Sequence, residues 1–425
     1  VAFLYHENRL KIGTAGHHHD VQGLVARLTS DMGTPTYLYD LDNISLRYQA
    51  FSKAFEGLNL AVHYAMKANH QTDIVSLLAR AGAGADTVSA GEIQIALQNG
   101  IPASKIIFSG VGKTTTELTF AIRQQIKQIN VESPQELERI SQLTEKLGLS
   151  IDVAFRMNPD VNPKTHPYIT TGFRENKFGM DNSFLPELER ILAQSSGRIR
   201  LRGLTLHIGS QLLELSSLRE AIEKTLIIYK ELENRGHQLD RFDIGGGLGI
   251  NYESDDESSE FEMLREYGAM VRSCFTGMKV EILTEPGRIL VARAGLLISE
   301  VQYIKTSPAK TFVILNTGMH HLLRPALYGA HHRILPLKLT SQPEIKAALY
   351  DIVGPICESS DVLARNIALN SVQQGDFIGL ADSGAYGYTM ASHYNAHALP
   401  IEIAVSASAI ATDELPPLND VNEKY

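Results

Sequence analysis

Cysteine is almost missing from this chain. Two thiols in 425 residues, Cys274 and Cys357, cannot build a disulfide framework, which excludes a small stapled scaffold and fits a reducing compartment. No apolar run reaches the ~18–20 residues that a bilayer-spanning helix needs, and the start of the chain shows no basic segment leading into a hydrophobic one. The expectation is therefore a cytoplasmic protein with no membrane partner. Basic excess is absent too: 39 Lys and Arg against 48 Asp and Glu leave a formal net charge of -9 with no basic stripe, which argues against nucleic acid as a partner. There is no internal repeat and no low-complexity stretch. The length points to two domains, since single cores stop growing near ~250–300 residues.

Between residues 35 and 295 short β-rich runs alternate with amphipathic helical segments. Leaving "TYLYD" (36–40) aside, eight runs remain: 60–66, 84–86, 105–110, 126–133, 151–159, 201–210, 241–247 and 279–287. In the intervening "ESPQELERISQLTEKLG", Ser133, Pro134 and Glu136 predict an N-cap, N1 and capping box, Leu137, Ile140, Leu143 and Leu147 mark one apolar face, and Gly148 is the stop. Near-continuous apolar strands linked by helices imply a parallel sheet buried on both faces, and eight of them suit a closed (β/α)8 TIM barrel better than a doubly wound sheet, the runner-up. After residue 295 the texture becomes strands and turns ("LLISEVQYIKTS", "TFVILNTG", "LYDIVGPIC", "GDFIGLADSG", "PIEIAVSAS"). Residues 1–34, with a hairpin-like "FLYHENRLKIG", and 296–425 are assigned to this second, β-rich domain, whereas 35–295 form the barrel. The tail from Asp413 is polar and is expected to be loosely held.

In a barrel of this kind chemistry belongs where strands run into the following loops. "AVHYAMKANH" ends its strand on Lys67, either a solvated rim charge or an amine whose pKa burial lowers until it forms a Schiff base. His207 ends "LTLHIGSQ", with Ser210 close behind; alone it reads as a hydrogen-bonded structural residue. "DIGGGLGI" places Gly245, Gly246, Gly247 and Gly249 after another strand, a tight turn or an anion nest without G-x-G-x-x-G spacing. Glu285 emerges from an apolar strand in "LTEPGR", where a carboxylate needs a cation, and Arg288 follows it as an anion binder. Amine, imidazole, glycine nest and carboxylate at one mouth together match pyridoxal 5'-phosphate: Lys67 on the aldehyde, Gly246, Gly247, Gly249 and Ser210 on the phosphate, Glu285 on the ring nitrogen, His207 on the ring face.

Other stretches read as structural. "GHHHD" (16–20) looks like a metal tract but stands before the barrel without companion ligands, so no metal is expected. "GVGKTTTE" lacks P-loop spacing. Cys274 sits in "MVRSCF" without polar escort and reads as a core residue.

In order along the chain, "HYAMKANH", "DTVSAGEI", "HIGSQ", "DIGGGLG", "EPGR", "RPALY", "GPICESSDVLA" and "SGAYGYTMASHYN" resemble the fold-type III pyridoxal-phosphate decarboxylases, which join an alanine-racemase-like barrel to a β domain. The likeness runs from 34–42 to 401–405, and "HPYITTGFRENKFGM" (166–180) makes it strongest to the diaminopimelate decarboxylases. The resemblance implies that Arg288, Arg324 and Tyr328 hold substrate carboxylates and that Tyr386 contacts cofactor and substrate. It further implies that Ala65, Asp86 and Gly287 line the cofactor pocket. Cys357, otherwise a small buried hydrophobe, would be the proton donor, and Glu358 would bind the distal amino group, both reaching into the partner's site of a homodimer. His393 and His397 in "SHYNAHALP", and "NTGMHH", depart from the family's usual "SNYNSRP" and "DAG". "MHHLL" and "GAHHRI", flanking "RPALY", are expected to shape the substrate wall.

The implied reaction is decarboxylation of meso-2,6-diaminopimelate at its D-configured carbon, giving L-lysine and CO2. The near alternative is another decarboxylase of the fold, acting on ornithine, arginine, lysine, a carboxylated polyamine or a siderophore intermediate. Racemisation needs two opposed bases, and a pyridoxal-phosphate carrier would lack substrate groups on a β domain.

Overall fold

The computed structural model describes residues 2–13, 18–29, 35–162, 177–339 and 348–412. It divides into two compact units. One contains the described residues of Tyr48–Ile250 and Ser258–Ile289; the other contains those of Val1–Arg47, Asn251–Glu257 and Leu290–Tyr425.

The first unit is the expected barrel. Its strands are β1 (Leu60–Ala65), β2 (Gly84–Thr87), β3 (Ile106–Phe108), β4 (Gln128–Val131), β5 (Ile151–Arg156), β6 (Ile199–Thr205), β7 (Arg241–Asp243) and β8 (Glu281–Thr284). All neighbours run parallel, and β8 returns to β1 through the pairs Ile282↔Leu60, Leu283↔Ala61 and Thr284↔Val62. Chain order equals spatial order, which separates this barrel from a doubly wound sheet, where the strand order reverses.

Local chemistry sets the helices between them. Ser133 caps the helix Pro134–Leu147 by accepting from the Glu136 amide at 3.2 Å, proline occupies the first turn, and Gly148 ends it at φ 67°. The expected capping box does not close. The Glu136 carboxylate turns instead to the Glu132 amide at 2.8 Å and to Lys113 Nζ at 2.7 Å, because a buried ammonium outcompetes a neutral cap amide. Lys113, the lysine of "GVGK", also donates to the carbonyls of Gly110 and Asn130, at 2.6 and 2.7 Å. It is an internal tie between strand-end loops.

In the second unit Phe3–His6 and Arg9–Ile12 form a hairpin whose two turn residues, Glu7 and Asn8, both have positive φ, the geometry of a tight twisted turn. His19–Asp20 adds a third strand, and Asp20 then caps the helix Val21–Leu28; residues 16 and 17 of the histidine tract lie outside the described residues. The large sheet runs Ile334–Pro336, Phe377–Ala381, Gly295–Thr306, Thr311–Leu315, Ala348–Val353 and Val362–Leu369. Thr36–Asp40 pairs with Gly295–Ile298 and with Ile401–Val405. The boundaries set at 35 and 295 are corrected accordingly: "TYLYD" finds its hydrogen-bond partners in this sheet and belongs to the β unit, as do residues 251–257 and 290–295. The strand Val362–Leu369, whose apolar run is interrupted by the exposed Arg365 and Asn366, is not legible as a strand in sequence.

Candidate active site

The barrel places seven of the expected side chains at the carboxyl ends of its strands. Lys67 lies in the single turn Met66–Ala68 that follows β1, and its Nζ stands 3.4 Å from Asp86 Oδ2 at the end of β2. The Lys67 side chain is 36% exposed, whereas Asp86 is fully buried. Ala65 donates its amide to the Pro286 carbonyl at 3.1 Å, and a Cβ on Gly287 would sit 3.0 Å from that of Ala68, so the β1 and β8 ends are in contact around the lysine.

The loops after β6, β7 and β8 interlock through glycine. Gly246 donates to His207 Nδ1 at 3.3 Å, while the Glu285 amide donates to the Gly245 carbonyl at 2.8 Å. A Cβ on Gly246 would fall 2.0 Å from the Glu285 carbonyl oxygen, and Gly247 combines φ 104° with a Cβ position 2.2 Å from the Gly209 carbonyl oxygen. No side chain fits either place, so the run that reads as an anion nest is also the joint of three loops. Ser210 Oγ accepts from Arg288 Nη2 at 2.9 Å, joining the β6 and β8 loops near that joint.

Electrostatics distinguish this mouth from a packing core. Asp86, Asp243 and Glu285 are all buried. Burial first, then the charges of Asp243 and Asp86, push the Glu285 carboxyl well above its ordinary range, and Lys67 opposes them. Asp243 is raised as well, mainly by burial. His207 is pushed well below the usual imidazole range by burial, then by Lys67 and Arg156, so it is neutral; the Gly246 amide on Nδ1 leaves its proton on Nε2. Three buried acids with one ammonium lack positive charge. A protonated pyridine nitrogen at Glu285, an aldehyde at Lys67 and a phosphate at the Ser210–Arg288 glycine joint supply what the donor set needs, so the residues fit pyridoxal phosphate.

Several contributors escape a residue-by-residue reading of the sequence. Asn130 on β4, Asp243 ending β7, and the buried pair Arg156–Glu132, in which Glu132 also accepts from the Gly179 amide at 2.8 Å, all face strand ends. Their positions in "INVES", "AFRMN" and "RFDIGG" were the available signal.

The β unit carries the other group. Arg324, 5% exposed, opens the short helix Arg324–Tyr328. His332 Nδ1 lies 2.9 Å from the Ala381 carbonyl and must donate to it, so Nε2 accepts from Arg324 Nη1 at 2.8 Å; the guanidinium also stacks 4.5 Å from the Tyr252 ring centroid. Tyr386 adopts φ 57°, a left-handed conformation that costs a bulky residue about 1–3 kcal/mol and marks functional loops. Cys357 is an exposed free thiol, which removes its reading as a buried hydrophobe, and Glu358 beside it accepts from Tyr394 Oη and from Ser360 Oγ. The departing histidines cluster: the His320 ring lies 3.6 Å from that of His321 and 4.6 Å from that of His397. Cys274 is half-buried, its Sγ 3.9 Å from Met270 Sδ. Residues 166–176 of "HPYITTGFRENKFGM" lie outside the described residues.

A closed parallel barrel with a lysine, a buried acid cluster and a glycine joint at its carboxyl end defines a pyridoxal-dependent class of enzyme. In agreement, residues 41–292 match the family model described as the pyridoxal binding domain of pyridoxal-dependent decarboxylases. The chain is 40% identical over 383 residues to a diaminopimelate decarboxylase of Aquifex aeolicus, covering 90% of this chain and 89% of that one. The crystal structure of the Helicobacter pylori diaminopimelate decarboxylase complexed with L-lysine superposes with a TM-score of 0.83 at 40% identity, over 90% of this chain and 94% of the other. That of the M. jannaschii diaminopimelate decarboxylase, also with L-lysine, gives 0.84 at 34% identity and 98% of both. The chain belongs to the diaminopimelate decarboxylase family.

Proposed function

We propose that the protein is a pyridoxal 5'-phosphate-dependent carboxy-lyase that removes the carboxylate at the D-configured carbon of meso-2,6-diaminopimelate, yielding L-lysine and CO2. The observation that carries this reading is the buried Asp86–Asp243–Glu285 cluster facing Lys67, in a chain similar along nine-tenths of its length to diaminopimelate decarboxylases.

When bound, the cofactor supplies an electron sink for the pair released as CO2 leaves. The chain does the rest. Lys67 Nζ would hold the aldehyde, and Glu285 would keep a proton on the ring nitrogen. Neutral His207 offers a flat, uncharged surface to the ring, and Ala65 and Asp86 line the pocket. The phosphate would lie against Gly246, Gly247, Gly249 and Gly287, where no Cβ keeps it from the backbone, and would be bound by the Ser210 hydroxyl and the Arg288 guanidinium. Arg288, Arg324 and Tyr328 hold substrate carboxylates, and Tyr386 contacts cofactor and substrate. Arg324 suits the role because His332 and Tyr252 hold its guanidinium in one orientation.

The carbon that has lost CO2 takes a proton from the Cys357 thiol, whose thiolate recovers one from solvent. Glu358 binds the distal ammonium of the substrate. The exposure of Cys357 and Glu358 supports a homodimer in which these residues serve the partner's site. Both free thiols suit a reducing compartment, and we place the enzyme in the cytoplasm.

A CO2-release assay with meso-diaminopimelate beside ornithine, arginine and lysine tests the proposal. Turnover confined to meso-diaminopimelate is expected. Release from one of the others, with none from meso-diaminopimelate, would overturn the substrate assignment.

A further inference from the structure

A side chain with no role in the scheme above joins two of its acids. On β4, Gln128 and Asn130 are two residues apart and so share a face of the strand. Gln128 Nε2 donates to Asn130 Oδ1 at 2.8 Å. That contact commits the oxygen end of the Asn130 amide, and its Nδ2 therefore faces Ser109 Oγ at 3.1 Å, Asp243 Oδ2 at 3.4 Å and Glu285 Oε1 at 3.5 Å. Gln128 is 0% exposed, Asn130 and Asp243 1%, Glu285 6% and Ser109 7%.

Reversing the amide would aim an oxygen at two carboxylates in a water-poor interior, so the acids themselves determine which way it points. Gln128 Oε1 finds no donor among the described residues. A buried glutamine with half its amide unsatisfied is costly, and what it provides in return is the donor that pins Asn130. Besides Asn130, Glu285 is faced by Asp243 from β7, Asp86 from β2, Lys67 from the turn after β1, and Tyr267 from the helix Ser258–Cys274.

We propose that Asn130 is a positioning residue for the cofactor: its Nδ2 orients the Asp243 and Glu285 carboxylates, so that Glu285 turns an acceptor oxygen to the ring nitrogen, and Gln128 locks the amide in that sense. The proposal rests on the role given to Glu285 above. It reaches beyond it by assigning the orientation of that acid to a neutral amide on the far side of the barrel.

The test uses the full chain carrying Asn130→Leu, a near-isostere without donors, with Glu285→Gln in parallel. Three quantities are measured: the affinity of the apo protein for pyridoxal phosphate, the visible absorbance of the bound cofactor across pH, and the melting of the apo protein. Asn130→Leu is expected to weaken cofactor binding about tenfold and to move the midpoint of the spectral pH titration by about one unit, in the same direction as Glu285→Gln. Gln128→Met, which releases the pin and leaves Asn130 in place, should move both in the same sense by less, and it serves if Asn130→Leu does not fold. Wild-type affinity and spectrum in both β4 variants, with a shift in Glu285→Gln, would overturn the proposal alone. No shift in Glu285→Gln would overturn the role of Glu285 itself. Lower apo melting with an unchanged spectrum would reduce Asn130 to a structural residue and also overturn the proposal.

Discussion

Gly246→Ala isolates the contact on which the barrel mouth depends. The added methyl would start 2.0 Å from the Glu285 carbonyl oxygen and 2.9 Å from its carbonyl carbon. Ordinary contact is about 3.4 Å, so the β7 and β8 loops must separate by roughly 1.4 Å. They resist, because the Glu285 amide donates to Gly245 O at 2.8 Å and Thr284 Oγ1 donates to the same carbonyl at 3.0 Å. Gly246 has no positive φ, so alanine brings no backbone strain and the effect is steric alone. Overpacking of this kind costs about 1–3 kcal/mol. The larger effect falls on catalysis, since Glu285 moves with its backbone, and ~1 Å of misplacement costs on the order of 100-fold in rate. We expect Gly246→Ala to melt several degrees below wild type and to lose about 100-fold in kcat/KM while still binding substrate analogues weakly. Gly91→Ala, whose methyl would meet only Ser89 Oγ at 3.6 Å in the helix Ala90–Gln98, is the control and should lose neither. Wild-type rate and melting in Gly246→Ala would refute the close approach and the positional demand on Glu285 together.

Three further expectations follow from the site and its surroundings. Lys67→Ala should abolish turnover and the visible absorbance of bound cofactor; a variant that kept both would end the role of that amine. Cys357→Ala should retain cofactor affinity but lose on the order of 100-fold in kcat, and heterodimers with Lys67→Ala should recover activity, whereas unchanged kcat would remove the thiol from proton return. Glu402, beside Tyr39 Oη at 2.7 Å, is raised by burial from 4.5 to about 7. The native state therefore keeps this proton where the unfolded chain has lost it, so stability is full below 4.5, falls as pH rises to about 7 and is level above, by on the order of 3 kcal/mol. Glu402→Gln should unfold like wild type at pH 4 and be more stable at pH 8, and identical pH profiles for the two proteins would contradict this.

Much of the barrel was legible because its signals are local. Each of the eight strands overlaps one of the eight runs, although β3, β4, β7 and β8 are shorter than theirs, and Ser133, Pro134 and Gly148 mark a helix whose ends depend only on neighbouring backbone. Illegible features depended on competition between distant partners. Glu136 satisfies its sequence rule for a capping box, yet Lys113, brought over by the β3 loop, takes its carboxylate. Thr36–Asp40, set apart from the eight barrel runs yet on the barrel side of the boundary at 35, pairs with Gly295–Ile298, some 260 residues later, because β1 already meets β8.

By itself the sequence determined the class of fold, the order of the barrel strands and the chemical types gathered at their ends, since apolar period, caps and turn residues act within a few positions. Only the tertiary structure decided how those types are used. It set Asn130 against Glu285 across 155 positions of chain, gave Arg324 a histidine whose tautomer a carbonyl fixes, and left Cys357 in solvent. Closing a barrel removes water from whichever polar groups it encloses, and their charge and orientation are then set by the partners that closure brings within a few ångströms.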